Sequence, residues 1–275
     1  MLIPFSAMNA VPYWLMYQEK SPLVHCMTNH VVQNFTANVL LATGGSPAMV
    51  PSIEECGDFT TIASALLINV GTITAATAEA MLASAKVAYE TGTPWVLDPV
   101  AIGPALYYRT EIVAQLLQYK PTVIRGNVAE IKTLAGEAAQ SKGVDSQEDF
   151  SEAVIYAEQV ARELNTVVAM TGRHDIITDG QKTYEVSIGT EQLTKVTGTG
   201  CSLSALVAGL IGASQDVVEA AATACYVVSL AGVRAAEKSE GMGSFAVSYL
   251  DELSLINADS LFALAQAEEE KAEAL

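Results

Sequence analysis

The residues best equipped for chemistry lie at 194–206, TKVTGTGCSLSAL, where two glycines and a run of hydroxyl and thiol side chains precede an apolar, small-residue helix from about Cys201 to Ala213. Gly198 and Gly200 let the backbone turn without a Cβ penalty, so consecutive N–H groups can face one concavity that continues into the helix's unsatisfied first turn. The helix dipole adds roughly half a positive charge at that end, and a phosphate or a phosphoryl group in transfer is the natural occupant. Thr199 and Gly200 then line the transfer point. Cys201 stands at its mouth, where the same field is expected to lower the thiol's pKa and favour thiolate. A Gly-rich turn over a small buried cysteine fits the same letters, because a single Gly-x-Gly carries little information.

Phosphoryl transfer also needs a cation on the phosphate oxygens and a means of positioning the acceptor. Asn127 and Glu130 form N-x-x-E after a strand-like run, which places Glu130 one helical turn beyond Asn127. A carboxylate there can hold magnesium through water, since Mg²⁺ keeps much of its hydration shell. The same spacing is also a capping box, and both readings can hold together. Arg125 ends a buried-looking strand and calls for an anion or a carboxylate partner, so an ATP phosphate and a structural salt bridge are both open. Asp98 in WVLDPV is either a second group near the metal or a turn aspartate.

Parallel strands separated by helices would bring these residues together. Strand-like runs occur at 23–27, 65–70, 94–100, 122–126, 166–172, 175–180 and 183–189, and helix-period segments at 31–42, 54–64, 74–91, 110–119, 127–136, 147–164, 201–213, 216–237 and 244–256. This alternation, with strands apolar on both faces, predicts an α/β fold with a mostly parallel sheet between helices. The runs 175–180 and 183–189 read as an antiparallel hairpin at the sheet edge. Polar residues gather where the strands end: Thr28 and Asn29, Asn69 to Thr72, Asp98, Arg125 to Asn127, and Thr171. Ligands of such sheets bind at that edge. Residues 257–275 read as an acidic surface tail that frays, and no linker divides the chain, so a single domain over 1–275 is expected.

Of the 275 residues, 51% are hydrophobic and 16% charged, enough for a large core. A net charge of −17 without a Lys/Arg cluster argues against nucleic acid and anionic membrane as partners. Four scattered cysteines without a CxxC pair, and an N-terminus without a basic region before an apolar run, suit a reducing cytoplasm. Walker A, GxGxxG and GxSxG motifs are missing, and His25, His30 and His174 have no spacing that pairs them with Cys201.

Longer strings are more specific. SPLVHCMTNHVVQNFTANVLLATGGSPAM (21–49), ALLINVGT (65–72), TPWVLDPV (93–100), IRGNVAEI (124–131), GVDS (143–146), VVAMTG (167–172), LTKVTGTGCSLSALVA (193–208) and EGMGSF (240–245) resemble the hydroxyethylthiazole kinase family over nearly the whole chain. The resemblance implies a three-layer α/β/α ribokinase-like fold, assembled as homotrimers with active sites between subunits. It implies transfer of the γ-phosphoryl of ATP to the primary hydroxyl of 4-methyl-5-(2-hydroxyethyl)thiazole, with Mg²⁺, in thiamine salvage. Carried over residue by residue, Met49, Gly198 and Asn29 serve the thiazole substrate, while Arg125, Thr171 and Asn127 serve ATP. Glu130, Asp98 and again Asn127 serve the metal's water shell. Cys201 stands where most ribokinase-like relatives carry an Asp base. The run AIGPALYYR (101–109) departs from the family's GxGAT-type loop, so Gly103 and Arg109 inherit no role, and Thr197 replaces a common Val. A kinase of another small alcohol, such as a hydroxymethylpyrimidine or a sugar, and a non-catalytic nucleotide-binding sensor are the alternative readings.

Overall fold

The computed structural model describes residues 2–137 and 147–273; the GVDS string at 143–146 lies outside them. In chain order the elements are β1 Leu2–Pro4, α1 Ala7–Lys20, β2 Leu23–Met27, α2 Gln33–Thr43, β3 Ser46–Ala48, α3 Cys56–Ile62, β4 Ala65–Asn69, α4 Ala75–Thr91, β5 Trp95–Asp98 and α5 Tyr107–Leu116. There follow β6 Val123–Asn127, α6 Val128–Leu134, α7 Gln147–Leu164, β7 Val167–Thr171, β8 Asp175–Thr178, β9 Thr183–Val186, α8 Thr199–Ala213, α9 Val217–Glu237, α10 Met242–Leu255 and α11 Ala258–Glu273.

The strands form one sheet in the order β1-β9-β8-β7-β6-β5-β4-β2-β3. All pairings are parallel except β7 with β8 and β8 with β9. The expected hairpin is present, but it does not form the edge. β1, in an N-terminal segment that the periodicity did not identify, pairs with β9 and closes that side. On the far side β3 pairs with β2.

The sheet's alternation divides its side chains between two cores. Ala65, Leu67, Val96 and Val123 pack with α1, α2, α8 and α9, whereas Leu66, Ile68, Leu97 and Ile124 pack with α3 to α7. Strands apolar on both faces are what a doubly covered parallel sheet requires. Helix α8 is the most enclosed piece, buried at Leu203, Ala205 to Gly209, Leu210 and Ile211. At about 1.5–3 kcal/mol for each large aliphatic side chain buried, its position is strongly fixed. Lys20 of α1 donates to the Ala213 carbonyl at 2.6 Å, placing a cation at the helix's negative end.

Helix α9 is long and apolar enough to span a membrane by composition, yet 78% of its apolar window is buried inside the fold, as for a core helix. The C-terminal segment differs from expectation. α11 does not fray across its length: Asn257 and Ser260 cap its start reciprocally at 2.8 and 3.0 Å, and Leu261 and Ala265 are buried in the core shared with α1. Its first turns read as an amphipathic helix; the acidic end hid that signal.

Candidate active site

Because β2 through β7 run parallel, except for the later hairpin, their carboxyl ends open on one edge of the sheet. That edge carries Met49 just after β3, Asn29 after β2, Asn69 on β4, Asp98 on β5, Arg125 and Asn127 on β6, and Thr171 on β7. Gly198, at φ +100°, turns the chain into α8 above them. A Cβ at Gly198 would stand 3.2 Å from both Val32 and Phe35 at the start of α2, so the turn is wedged against that helix. Helical bonding starts with Ser202 N–H to Gly198 O at 2.8 Å, leaving the N–H groups of Thr199, Gly200 and Cys201 ahead of it.

A buried hydrogen-bonded chain runs beneath this turn. Asp98, fully buried, accepts on Oδ2 from Asn69 Nδ2 at 2.7 Å and from the Ser204 hydroxyl at 2.8 Å. Asn69 Oδ1 accepts from Asn29 Nδ2 at 3.0 Å and from Gly71 N–H at 3.0 Å. Asn29 Nδ2 also lies 3.5 Å from Cys201 Sγ. Asp98 Oδ1 is buried without a hydrogen-bond partner among the described residues. Burial pushes the Asp98 carboxyl up to about 6; Arg125, Ser204 and Asn69 oppose that rise, and the charge of Glu130 adds to it.

Arg125 lies across the same floor. Its Nη2 donates to Thr171 Oγ1 at 2.5 Å, its Nη1 is 4.0 Å from Asp98 Oδ2, and its Nε has no partner. A Cβ at Gly200 would fall 2.9 Å from Nη1 and 3.0 Å from Nη2, so the guanidinium rests directly against the first turn of α8. A positive fork, free N–H groups and a carboxylate oxygen with spare capacity thus share one site. Such a set has the charge and donors to hold a polyanion.

Asn127 and Glu130 realise the capping box: Glu130 N–H donates to Asn127 Oδ1 at 2.9 Å and Asn127 N–H to Glu130 Oε2 at 2.8 Å. The other Glu130 oxygen accepts from Ala101 N–H at 2.8 Å. Glu130 therefore ties the loop after β5, where Ala101 sits at φ +55°, to the start of α6. Thr199 directs its hydroxyl to Leu193 O at 2.6 Å, so its side chain braces the loop. Met49 is half-buried and packs against the core cluster that holds α8.

One expectation fails. The Cys201 thiol is pushed up to about 11, first by burial and then by the charge of Asp98; the hydrogen bonds from Asn69 and Asn29 and the charge of Arg125 only partly offset this. A thiol at a helix N-terminus next to a buried carboxylate is desolvated before it is stabilised, so at neutral pH Cys201 is protonated. The roles of Asn69 and Ser204 at Asp98, and of Ala101 at Glu130, were not apparent from the sequence. Asn69 ends an apolar strand, and Ser204 follows Cys201 by three residues on the same helix face, so both carried a weak signal.

The architecture matches a solved ribokinase-like superfamily protein from Enterococcus faecalis V583 at TM-score 0.67 with 13% identity, covering 94% of this chain and 97% of that one. The fold is therefore ribokinase-like, a mostly parallel sheet between helices, with the strand-end edge in the place where such sheets bind ligands. A narrower match follows. The model of the hydroxyethylthiazole kinase family matches residues 16–259. A hydroxyethylthiazole kinase of Pectobacterium carotovorum subsp. carotovorum (strain PC1) is 50% identical over 257 residues, 94% of this chain and 97% of its own. The solved structure of a hydroxyethylthiazole kinase protein from Pyrococcus horikoshii OT3 superposes at TM-score 0.84 with 36% identity, covering 91% and 94% of the two chains. The chain belongs to the hydroxyethylthiazole kinase family.

Proposed function

We propose that the protein transfers the γ-phosphoryl group of ATP to the primary hydroxyl of 4-methyl-5-(2-hydroxyethyl)thiazole, releasing ADP and the thiazole phosphate for thiamine salvage. The observation that carries this reading is the Arg125 guanidinium lying against Gly200 in the opened first turn of α8, inside a chain of this family. Arg125 and Thr171 hold the triphosphate, with Asn127 at the adjoining helix start. The N–H groups of Thr199 to Cys201 take the charge that collects on the phosphoryl oxygens during transfer. Met49, Gly198 and Asn29 receive the thiazole; a polarisable thioether suits a flat sulfur heterocycle.

The residues fit a magnesium ion. Asp98 Oδ1 is a buried acceptor with no partner, and no group of three His, Cys, Asp or Glu side chains among the described residues forms a closed cage. Mg²⁺ commonly binds through one or two carboxylates while retaining water. Asp98 is the anchor in this reading, and Glu130, whose two oxygens accept backbone N–H groups, bears on the water shell. When bound, the ion neutralises phosphate charge. Cys201, as a neutral thiol, positions the acceptor alcohol more than it deprotonates it.

Assembly as a homotrimer, with each site completed by a neighbouring subunit, belongs to the same proposal. Val31, just before α2, and Leu41, within it, are 67% and 60% exposed, apolar surfaces that a partner would cover. A cytoplasmic enzyme is proposed from its family. A coupled ADP-release assay across the thiazole alcohol, a hydroxymethylpyrimidine and a sugar tests the activity. Turnover with the thiazole is expected; no turnover with it overturns the reading. Light scattering is expected to give a trimer, and an active monomer refutes the shared site.

A further inference from the structure

The direction of every hydrogen bond in the chain beneath α8 is set by two backbone groups. Gly71 N–H can only donate, so the Asn69 atom it meets at 3.0 Å is the carbonyl oxygen and the Asn69 NH₂ must face Asp98. Val31 N–H meets Asn29 Oδ1 at 3.1 Å, so the Asn29 NH₂ must face Asn69 and Cys201. Reversing either amide would set donor against donor. The polarity therefore runs from Cys201 to Asp98 with no free choice: Asn29 donates to Sγ and to Asn69, and Asn69 donates to Asp98 Oδ2.

Two consequences follow for the reacting centre. Asp98 Oδ2 is saturated by Asn69 and Ser204, while Oδ1 is left as the oxygen with unused acceptor capacity. Cys201 Sγ is met on its protein side by a donor, so its own proton points elsewhere. We propose that Asn69 is a positioning residue for phosphoryl transfer. It holds Asp98 by one oxygen so that the other, buried and without a hydrogen-bond partner among the described residues, keeps its acceptor capacity for the reacting groups, and it fixes Asn29 against Cys201. Asn69 and Asp98 are both fully buried and sit opposite each other in the register of β4 and β5, so the contact is built into the sheet. The inference rests on the kinase reading of the site.

Asn69→Asp tests it. The new carboxylate keeps an acceptor for Gly71 and Asn29 but replaces the fixed amide donor facing Asp98 with a carboxyl that must either repel Asp98 or share a proton with it. The expected result is a fall in kcat of about 10–100-fold, the usual cost of losing a side chain that orients a functional group. KM for the alcohol and for ATP should stay within about threefold, the mark of an interaction realised in the transition state. Ser204→Ala, which removes the second donor from the same oxygen, should lower kcat toward the small end of that range with an unchanged melting temperature. An Asn69→Asp enzyme with parental kcat overturns the inference, and so does one whose loss appears in KM alone or matches its unfolded fraction. Where Asn69→Asp does not fold, Ser204→Ala decides: reduced kcat in a fully folded enzyme supports the inference and parental kcat overturns it. A parent enzyme without thiazole turnover would instead remove the kinase reading, so the two failures are distinct.

Discussion

Gly200→Ala separates binding from folding more sharply than any other change at this site. Gly200 lies in the first turn of α8 with a helical backbone that alanine adopts freely, and Ala is favoured over Gly there by less than the roughly 1 kcal/mol of a helix interior. Stability should therefore hold or rise. The added Cβ, however, arrives 2.9 Å from Arg125 Nη1, 3.0 Å from Nη2 and 3.3 Å from Cζ. These are closer than van der Waals contact, and the guanidinium cannot simply bend aside while it is held by Thr171 at 2.5 Å. It must withdraw by several tenths of an ångström, away from the N–H groups with which it would share a phosphate. Losing one charge-assisted hydrogen bond costs about 1.5–3 kcal/mol, or roughly 10–100-fold in ATP affinity. Nucleotide binding by calorimetry, read beside thermal melting, measures both. Gly198→Ala is the control: at φ +100° and 3.2 Å from Val32 and Phe35, it should lose stability as well. A Gly200→Ala enzyme that melts with the parent and binds ATP as tightly would refute the placement of Arg125 on the triphosphate.

Other outcomes follow from the same geometry. Burial raises the Asp98 carboxyl from its ordinary 3.8 to about 6, so the folded state holds the extra proton: its contribution is fully present below the unfolded pKa and is lost as pH rises through about 6. Without magnesium or nucleotide, the stability of Asp98→Asn relative to the parent should thus improve from pH 4 to pH 8, by up to a few kcal/mol, in chemical denaturation at each pH; a flat difference refutes the burial argument. The Tyr249 hydroxyl is fully buried with no partner among the described residues, so Tyr249→Phe should raise the melting temperature by a few degrees, in line with the roughly 1–3 kcal/mol carried by an unsatisfied buried group; a lower melting temperature refutes it. With the Cys201 thiol at about 11, kcat should be flat from about pH 7.5 to 9.5, since a loose transition state asks for little deprotonation of the alcohol. A tenfold rise per pH unit that vanishes in Cys201→Ser would make the thiolate the base.

Much of this was legible in the sequence because the parallel sheet needs buried strands on both faces, and their apolar runs stop abruptly at polar residues. Asn29, Asp98, Arg125, Asn127 and Thr171 were found in that way, and the sheet brings them to one edge. What escaped was set by tertiary contact. β1 is three residues long and owes its conformation to pairing with β9, and β3 likewise to β2. The start of α11 was masked by the acidic letters that follow it. The thiol of Cys201 differs from expectation for a related reason: the helix dipole can be read from the letters around Gly198, whereas burial at the start of α8 and the nearness of Asp98 require the fold. Spacing likewise left Glu130 between cap and metal, because nothing in it announces Ala101 as a second backbone donor.

Three local costs of this structure sit together at the start of α8. Gly198 occupies a left-handed turn, Asp98 keeps a buried oxygen without a donor, and Arg125 keeps a buried Nε without an acceptor, all around one helix start. Each would be a defect in a core, where an unsatisfied buried polar atom costs about 1–3 kcal/mol. They are tolerated here because the surrounding elements leave no alternative: α8 is fixed by its buried aliphatic side chains and by Lys20 at its far end, and Asp98 is gripped by two donors on one oxygen. Rigid packing thus holds open a positive fork and an unpaired acceptor that water or a neighbouring side chain would satisfy in a looser fold. If the proposed triphosphate and its cation meet both groups at once, part of the binding free energy comes from satisfying atoms the fold leaves unpaired. Ligand should therefore stabilise this edge of the sheet more than the hairpin side, and substitutions that satisfy the orphan groups should raise stability while lowering turnover.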